Sequence, residues 1–183
     1  MPVFNPYKKF KFSDGFTVVP PPRVPYLPSS KPLLLEFIPN FTVNTTDNDS
    51  GPNSREYGWS GDIGNADQGL TGYFSFNMYG ASLGCDSRVD ACIFTLSGFR
   101  YDRTTKANNQ VTSQKLVVPA CSALKDCALT TVTLDGTFNN LDAVRMNVTV
   151  GGLPKLWWVD DVRLGWYNNT CSVGRCRQNS KIH

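Results

Sequence analysis

The sequence predicts an all-β fold, an antiparallel β-sandwich with a proline-rich N-terminal arm, and three observations carry that expectation. Apolar segments of strand character recur at intervals of roughly ten to twenty residues. Polar or glycine-containing turns separate them, and nothing between them repeats at helical spacing. Lys155 to Trp166, KLWWVDDVRLGW, then joins the most hydrophobic strand signal in the chain to two adjacent carboxylates. A chain of 183 residues suffices for one well-packed domain, so residues 1–32 are assigned to the arm and 33–183 to a single sandwich.

In the arm, FNPYKKFKF is aromatic and basic, Ser13-Asp14-Gly15 makes a turn, and FTVV is strand-like. Prolines fix φ and lack a donor, so residues 20–28 run extended over the surface, as a stiff strap or as a ligand for a proline-recognition domain. Leu33 to Ile38, LLLEFI, is the first strong strand, ended by Pro39. Residues 40–69 are rich in turn formers and read as a long surface loop carrying Tyr57 and Trp59. Alternation begins after Leu70, with Phe74, Phe76 and Met78 on one face and Tyr73, Ser75, Asn77 and Tyr79 on the other.

Strands follow at Ala91–Tyr101, Val111–Val118, Leu129–Leu134 and Leu141–Val150. In the last of these, Val144, Met146, Val148 and Val150 point inward and Asn147 outward. The closing strand is read with Leu156, Trp158, Asp160, Val162, Leu164 and Trp166 buried and with Lys155, Trp157, Val159, Asp161 and Arg163 outside. An ionised carboxylate on an apolar face is costly, so Asp160 needs a partner or a bulge that turns it outward. The polar tail from Asn168 to His183 is expected to form a short disulfide-stapled turn and a frayed end.

A net charge of +3 with 18% charged residues, scattered apart from Lys8, Lys9 and Lys11, argues against a nucleic-acid partner. No run of apolar residues is long enough to span a membrane. The six cysteines fall into three close pairs, Cys85 with Cys92, Cys121 with Cys127 and Cys171 with Cys176, which suggests three local disulfides. A zinc site is disfavoured by the lack of any C-x-x-C and by a single histidine, His183. Sequons at Asn40, Asn44, Asn48, Asn147 and Asn168 agree with an oxidising, extracellular setting, although three of them crowd one loop. A secreted chain would carry its targeting sequence upstream of Met1.

The order LLLEF, LTTVTLDGTFNNLDAVRMNV and LWWVDDVRLGW resembles the galactose-binding-like jelly rolls among carbohydrate-binding modules. A wider set of features, an FNPY-like start, the proline strap, YGASLGC and DDVRLGWYNNTC, resembles a family of secreted fungal domains with no established activity. The jelly-roll resemblance implies a structural Ca²⁺ where first and last strands meet, and places Glu36 with Asp160 or Asp161 at that position. A Lys155 or Arg163 partner, or plain exposure, would equally account for the carboxylates. The Gly/Asn-rich ligand turn usual in those modules does not follow Glu36.

One terminal histidine cannot furnish a catalytic triad, and no G-x-S-x-G, phosphate-binding or dinucleotide motif occurs. With two glutamates, Glu36 and Glu56, a carbohydrate-active enzyme is the weaker expectation. Glycan binding fits better, since sugars need flat aromatic faces flanked by amides and carboxylates. Tyr57, Trp59, Asp62 and Asn65 offer that set in the long loop, with Tyr79 and an outward Trp157 as a further platform. The sequence therefore points to a non-catalytic module for glycan or cell-wall polysaccharide, with a structural or self-associating protein-interaction module as the alternative.

Overall fold

The computed structural model describes residues 3, 7–20, 25–39, 60–65 and 67–180. The expected sites at Tyr57, Trp59, Asn40, Asn44 and Asn48 lie outside the described residues. The chain is all-β, and its described residues form two antiparallel sheets face to face and one short helix. The front sheet runs in the order β10 (Thr130–Thr133), β6 (Phe76–Cys85), β13 (Trp157–Trp166), β4 (Leu34–Phe37) and β2 (Phe16–Val19). The back sheet runs β1 (Phe10–Phe12), β5 (Ser60–Asn65), β11 (Ala143–Val150), β7 (Cys92–Asp102) and β8 (Ala107–Val118), and β12 (Leu153–Pro154) pairs with β11.

β13 lies hydrogen-bonded beside LLLEF, with Trp157 opposite Phe37 and Trp158 opposite Glu36. Its facing departs from the sequence reading. Trp157 and Val159 are fully buried between the sheets, whereas Trp158 turns to the other side. Beyond the acidic pair, Val162, Leu164 and Trp166 pack on the same inter-sheet core, as expected. The strand changes phase at Asp160–Asp161, because an inserted residue moves every later side chain to the opposite face. Trp157 therefore offers no outward platform: its ring sits 5.2 Å from Phe37, 5.5 Å from Phe16 and 5.9 Å from Phe94 of the back sheet. Phe76 and Met78 of β6 face Leu96, Val144, Met146 and Val148 across the same core.

The N-terminal segment is less an arm than the edge of both sheets. β1 closes the back sheet against β5, and β2 closes the front sheet against β4. In the segment that follows, Tyr26 and Leu27 are described beside the front sheet. There Tyr26 is buried, lies tilted against Trp158 with ring centres 5.3 Å apart and exchanges hydrogen bonds with Cys85 through its hydroxyl, while β3 (Tyr26–Leu27) pairs with β9 (Cys127–Ala128). Trp158 thus fills a second, smaller cluster with Tyr26, Leu34 and Cys121. β5 is a further correction, because SGDIGN read as loop but forms an interior strand between β1 and β11.

Disulfides join Cys85 to Cys92 and Cys121 to Cys127. The third expected bridge is absent: Cys171 and Cys176 are free thiols on α1 (Cys171–Asn179) rather than in a stapled turn. Five positions along a helix separate their Cα atoms by about 8.6 Å, beyond disulfide reach. What holds α1 is Arg177, its one buried residue. The guanidinium donates to the carbonyls of Tyr73 and Asn168 and to Asn169 Oδ1, and lies 5.0 Å from the centre of the Trp166 ring. Phe10 stacks on the same indole at 5.1 Å, so the first strand and the last helix meet at Trp166.

Arg177→Ala is expected to lower the hydrogen-exchange protection of the 171–179 amides about tenfold or more while leaving the sandwich folded. Arg177→Lys should not restore it, because an ammonium cannot reproduce the planar fork that serves three acceptors and a ring. Unchanged protection in both variants would show that the helix is held by something else.

Candidate functional site

The site is generated where β6 and β13 depart from regular pairing. Asp160 is opposite Ser82, Arg163 opposite Gly80, and Leu164 opposite Met78. Between the first two pairs β13 carries one extra residue, and between the last two β6 carries one, so the two insertions cancel. Asp161 takes a left-handed conformation at φ 47°, and Gly80 takes φ 151°. The extra residue of β6 is Tyr79, which is turned out of the sheet and half exposed, at 51%.

Two side chains then lie across the outer face of the front sheet, each seated on a glycine of the neighbouring strand. The phenol end of Tyr79 covers Gly165, where a Cβ would stand 3.0 Å from the ring and the hydroxyl oxygen. Arg163 passes over Gly80, where a Cβ would collide with its guanidinium, and donates to the carbonyl of Val132 at 2.6 Å. Asn77 donates to the Tyr79 hydroxyl at 3.4 Å and accepts from the Asn140 backbone at 3.0 Å. Ser82 and Thr131 share a hydrogen bond further along the same face. The result is an aromatic surface edged by an amide, a guanidinium and hydroxyls.

The other expected ligand residues lie elsewhere. Asp62 and Arg145 are opposite each other on β5 and β11 of the back sheet and form a two-pronged ion pair at 3.1 and 3.3 Å. Arg145 also covers the Phe99 ring at 5.1 Å. Burial pushes the Asp62 carboxyl above its ordinary value, and Arg145 works against that rise. Asn65 is buried and unavailable to a ligand. Its side-chain N–H donates to Asp142 and its oxygen accepts from Gly69, while Asp142 also receives Ser75 Oγ and the Tyr101 backbone, so Asn65 fastens the loop before β6.

The acidic break is satisfied by hydrogen bonds. Asp160 accepts from Ser30 through both its N–H and its hydroxyl and from the Asp161 backbone, and Glu36 accepts the Trp158 indole N–H at 3.0 Å. Arg163 pairs with neither. Of the three residues that the jelly-roll resemblance assigns to calcium, Glu36 and Asp160 already accept these hydrogen bonds, and no group of three His, Cys, Asp or Glu side chains that could hold a metal ion occurs among the described residues. Of the two described sequons, Asn168 is exposed, whereas Asn147 faces outward from β11 with its side-chain oxygen buried and unpaired.

Residues 1–177 match the family described as "Domain of unknown function (DUF7371)", and the chain belongs to it. No curated protein matches the sequence. Among solved structures, a DUF4465 family protein from Bacteroides caccae is similar at 11% identity and TM-score 0.45, over 76% of this chain and 64% of that one. Bacteriophage CBA120 tailspike protein 4, in its enzymatically active domain, is similar at 12% identity and TM-score 0.37, over 86% of this chain and 19% of that one. An agarase is similar at 8% identity and TM-score 0.34, over 90% of this chain and 23% of that one. The chain thus spans less than two thirds of the length of each of these proteins.

Because Asp62 has a raised carboxyl pKa in the folded state, its contribution to stability is fully present below the unfolded value and is lost as pH rises through the folded one. A carbon-13 NMR titration is expected to place its midpoint above 3.8, the ordinary value, and Arg145→Ala should move it higher still. A midpoint at or below the ordinary value would mean that the ion pair outweighs burial.

Proposed function

We propose that this chain is an extracellular, non-catalytic β-sandwich module that binds glycan or cell-wall polysaccharide on the outer face of its front sheet. The observation that supports it is Tyr79, displaced by its bulge, held against Gly165 and flanked by Asn77 and Arg163. An exposed ring presented on a sheet can stack on the apolar face of a pyranose, and the amide and guanidinium can meet its hydroxyls. A ring already held in place loses little freedom on binding. Two disulfides suit an extracellular setting, and among the described residues no helix is long and apolar enough to cross a membrane.

A protein-interaction module is the second reading, favoured by β8. Among the described residues this strand of 12 residues pairs on one side only, and it exposes Val111 and Val117. Size-exclusion chromatography separates the two readings, since a self-associating chain elutes well above 20.3 kDa.

Pull-down on a panel of polysaccharides is expected to show binding that Tyr79→Ala weakens about tenfold or more, with the melting temperature little changed. Gly165→Val, which pushes the ring off its seat, should weaken binding likewise. Binding to no polymer, or full binding by Tyr79→Ala, would sink the reading.

A further inference from the structure

We infer that the glycan this face selects carries carboxylates, a uronic-acid polymer, and that Arg163 is the residue that reads them. The inference rests on the platform reading above and narrows it to a ligand class. Arg163 carries five N–H donors, and the Val132 carbonyl takes one of them. No carboxylate among the described residues pairs with it, although Asp160 lies three positions away on the same strand. Both oxygens of Asp160 are turned to Ser30, and one also receives the Asp161 N–H.

The guanidinium is thus a cation held in a fixed position with its charge uncompensated by any neighbour among the described residues. It lies across Gly80, next in the chain to Tyr79, and two positions along β13 from Gly165, on which Tyr79 rests. Residues two apart on a strand stand about 7 Å apart on one face, roughly the width of a pyranose carrying a substituent. A ring stacked on Tyr79 would bring a carboxylate to the guanidinium while Asn77 meets a hydroxyl. A planar fork favours a planar two-oxygen anion, so the arrangement suits a uronate better than a neutral sugar, and better than a tetrahedral sulfate ester. The exposed side chains across from it on β10, Thr131 and Thr133, are neutral and do not repel such a polymer.

The test is affinity electrophoresis of the full chain through gels containing sodium polygalacturonate, its fully methyl-esterified form, agarose or a sulfated galactan. The expected result is retardation by polygalacturonate, weakened about tenfold or more by esterification and by added salt. Arg163→Gln should lose that preference, and Arg163→Lys should recover only part of it. The esterified polymer masks the carboxylate without touching the protein, so the test holds even if Arg163→Gln does not fold. Equal retardation by acid and ester, or stronger retardation by the sulfated polymer, overturns this inference and leaves the aromatic platform standing. Retardation by none of the four overturns both.

Discussion

β13 has to bury Trp157 and Val159 and then Val162, Leu164 and Trp166 in one core, and no regular strand can do so. Side chains alternate with a period of two, so the first pair and the last three belong to opposite faces. One residue must be inserted between them, and the chain inserts it at Asp160–Asp161. Burying each large apolar side chain is worth roughly 1.5–3 kcal/mol, whereas one residue in a left-handed conformation costs roughly 1–2 kcal/mol, so packing wins. An uncompensated insertion would leave the rest of β13 one residue out of step with β6. The second insertion, at Tyr79–Gly80, restores the pairing and lets Phe76 stand opposite Trp166.

Two distant parts of the molecule follow from that correction. The bulge frees the Asp160 carboxylate to receive Ser30, and so ties the strap that covers Trp158 to the strand that carries it. The same adjustment turns Tyr79 out of a strand whose neighbouring residues on both sides are buried. A polar anchor and an aromatic surface thus arise from one packing requirement, on one face. At the far end of β13, Trp166 receives Phe10 from the first strand and Arg177 from the helix, so the same strand also ties down both ends of the described chain.

The strand pattern and the inward set of β11 were legible because each rests on local alternation, which a sequence displays directly, whereas the adjacency of LLLEF and LWWVDD followed only from the jelly-roll resemblance. The facing of Trp157 and Trp158 was not legible. Alternation counted backward from Trp166 passes through the acidic pair, and the pair was recognised as a place for a bulge without the phase being reversed beyond it. β5 escaped notice because SGDIGN holds a single large apolar residue, Ile63, and its strand character comes from the partners on either side. The third cysteine pair misled because spacing in sequence says nothing of a helix between the thiols. For the site, Tyr79 was visible as an outward aromatic, while the roles of Gly80, Arg163 and Gly165 depend on which strands adjoin. An isolated glycine within a strand pattern was the one available signal of the bulge at Gly80.

The sequence placed Asp62 and Asn65 in one long loop with Tyr57 and Trp59, and Tyr79 with Trp157 as a further platform, but Asp62, Asn65 and Tyr79 stand in three environments with different physics. Asp62 is bound to Arg145 on the back sheet, Asn65 is consumed by Asp142, and Tyr79 stands outside the front sheet. The first two are satisfied by the protein, and a ligand would have to break an ion pair or a buried network to reach them. Around Tyr79 the polar groups are anchored at one point and open at others: Asn77 by Asn140, Arg163 by Val132. Anchored groups with donors to spare are what recognition requires, because their position is settled before the ligand arrives and their remaining hydrogen bonds can be made with it. On that ground the proposed glycan site falls on the front face, where packing displaced an aromatic residue and left a guanidinium beside it.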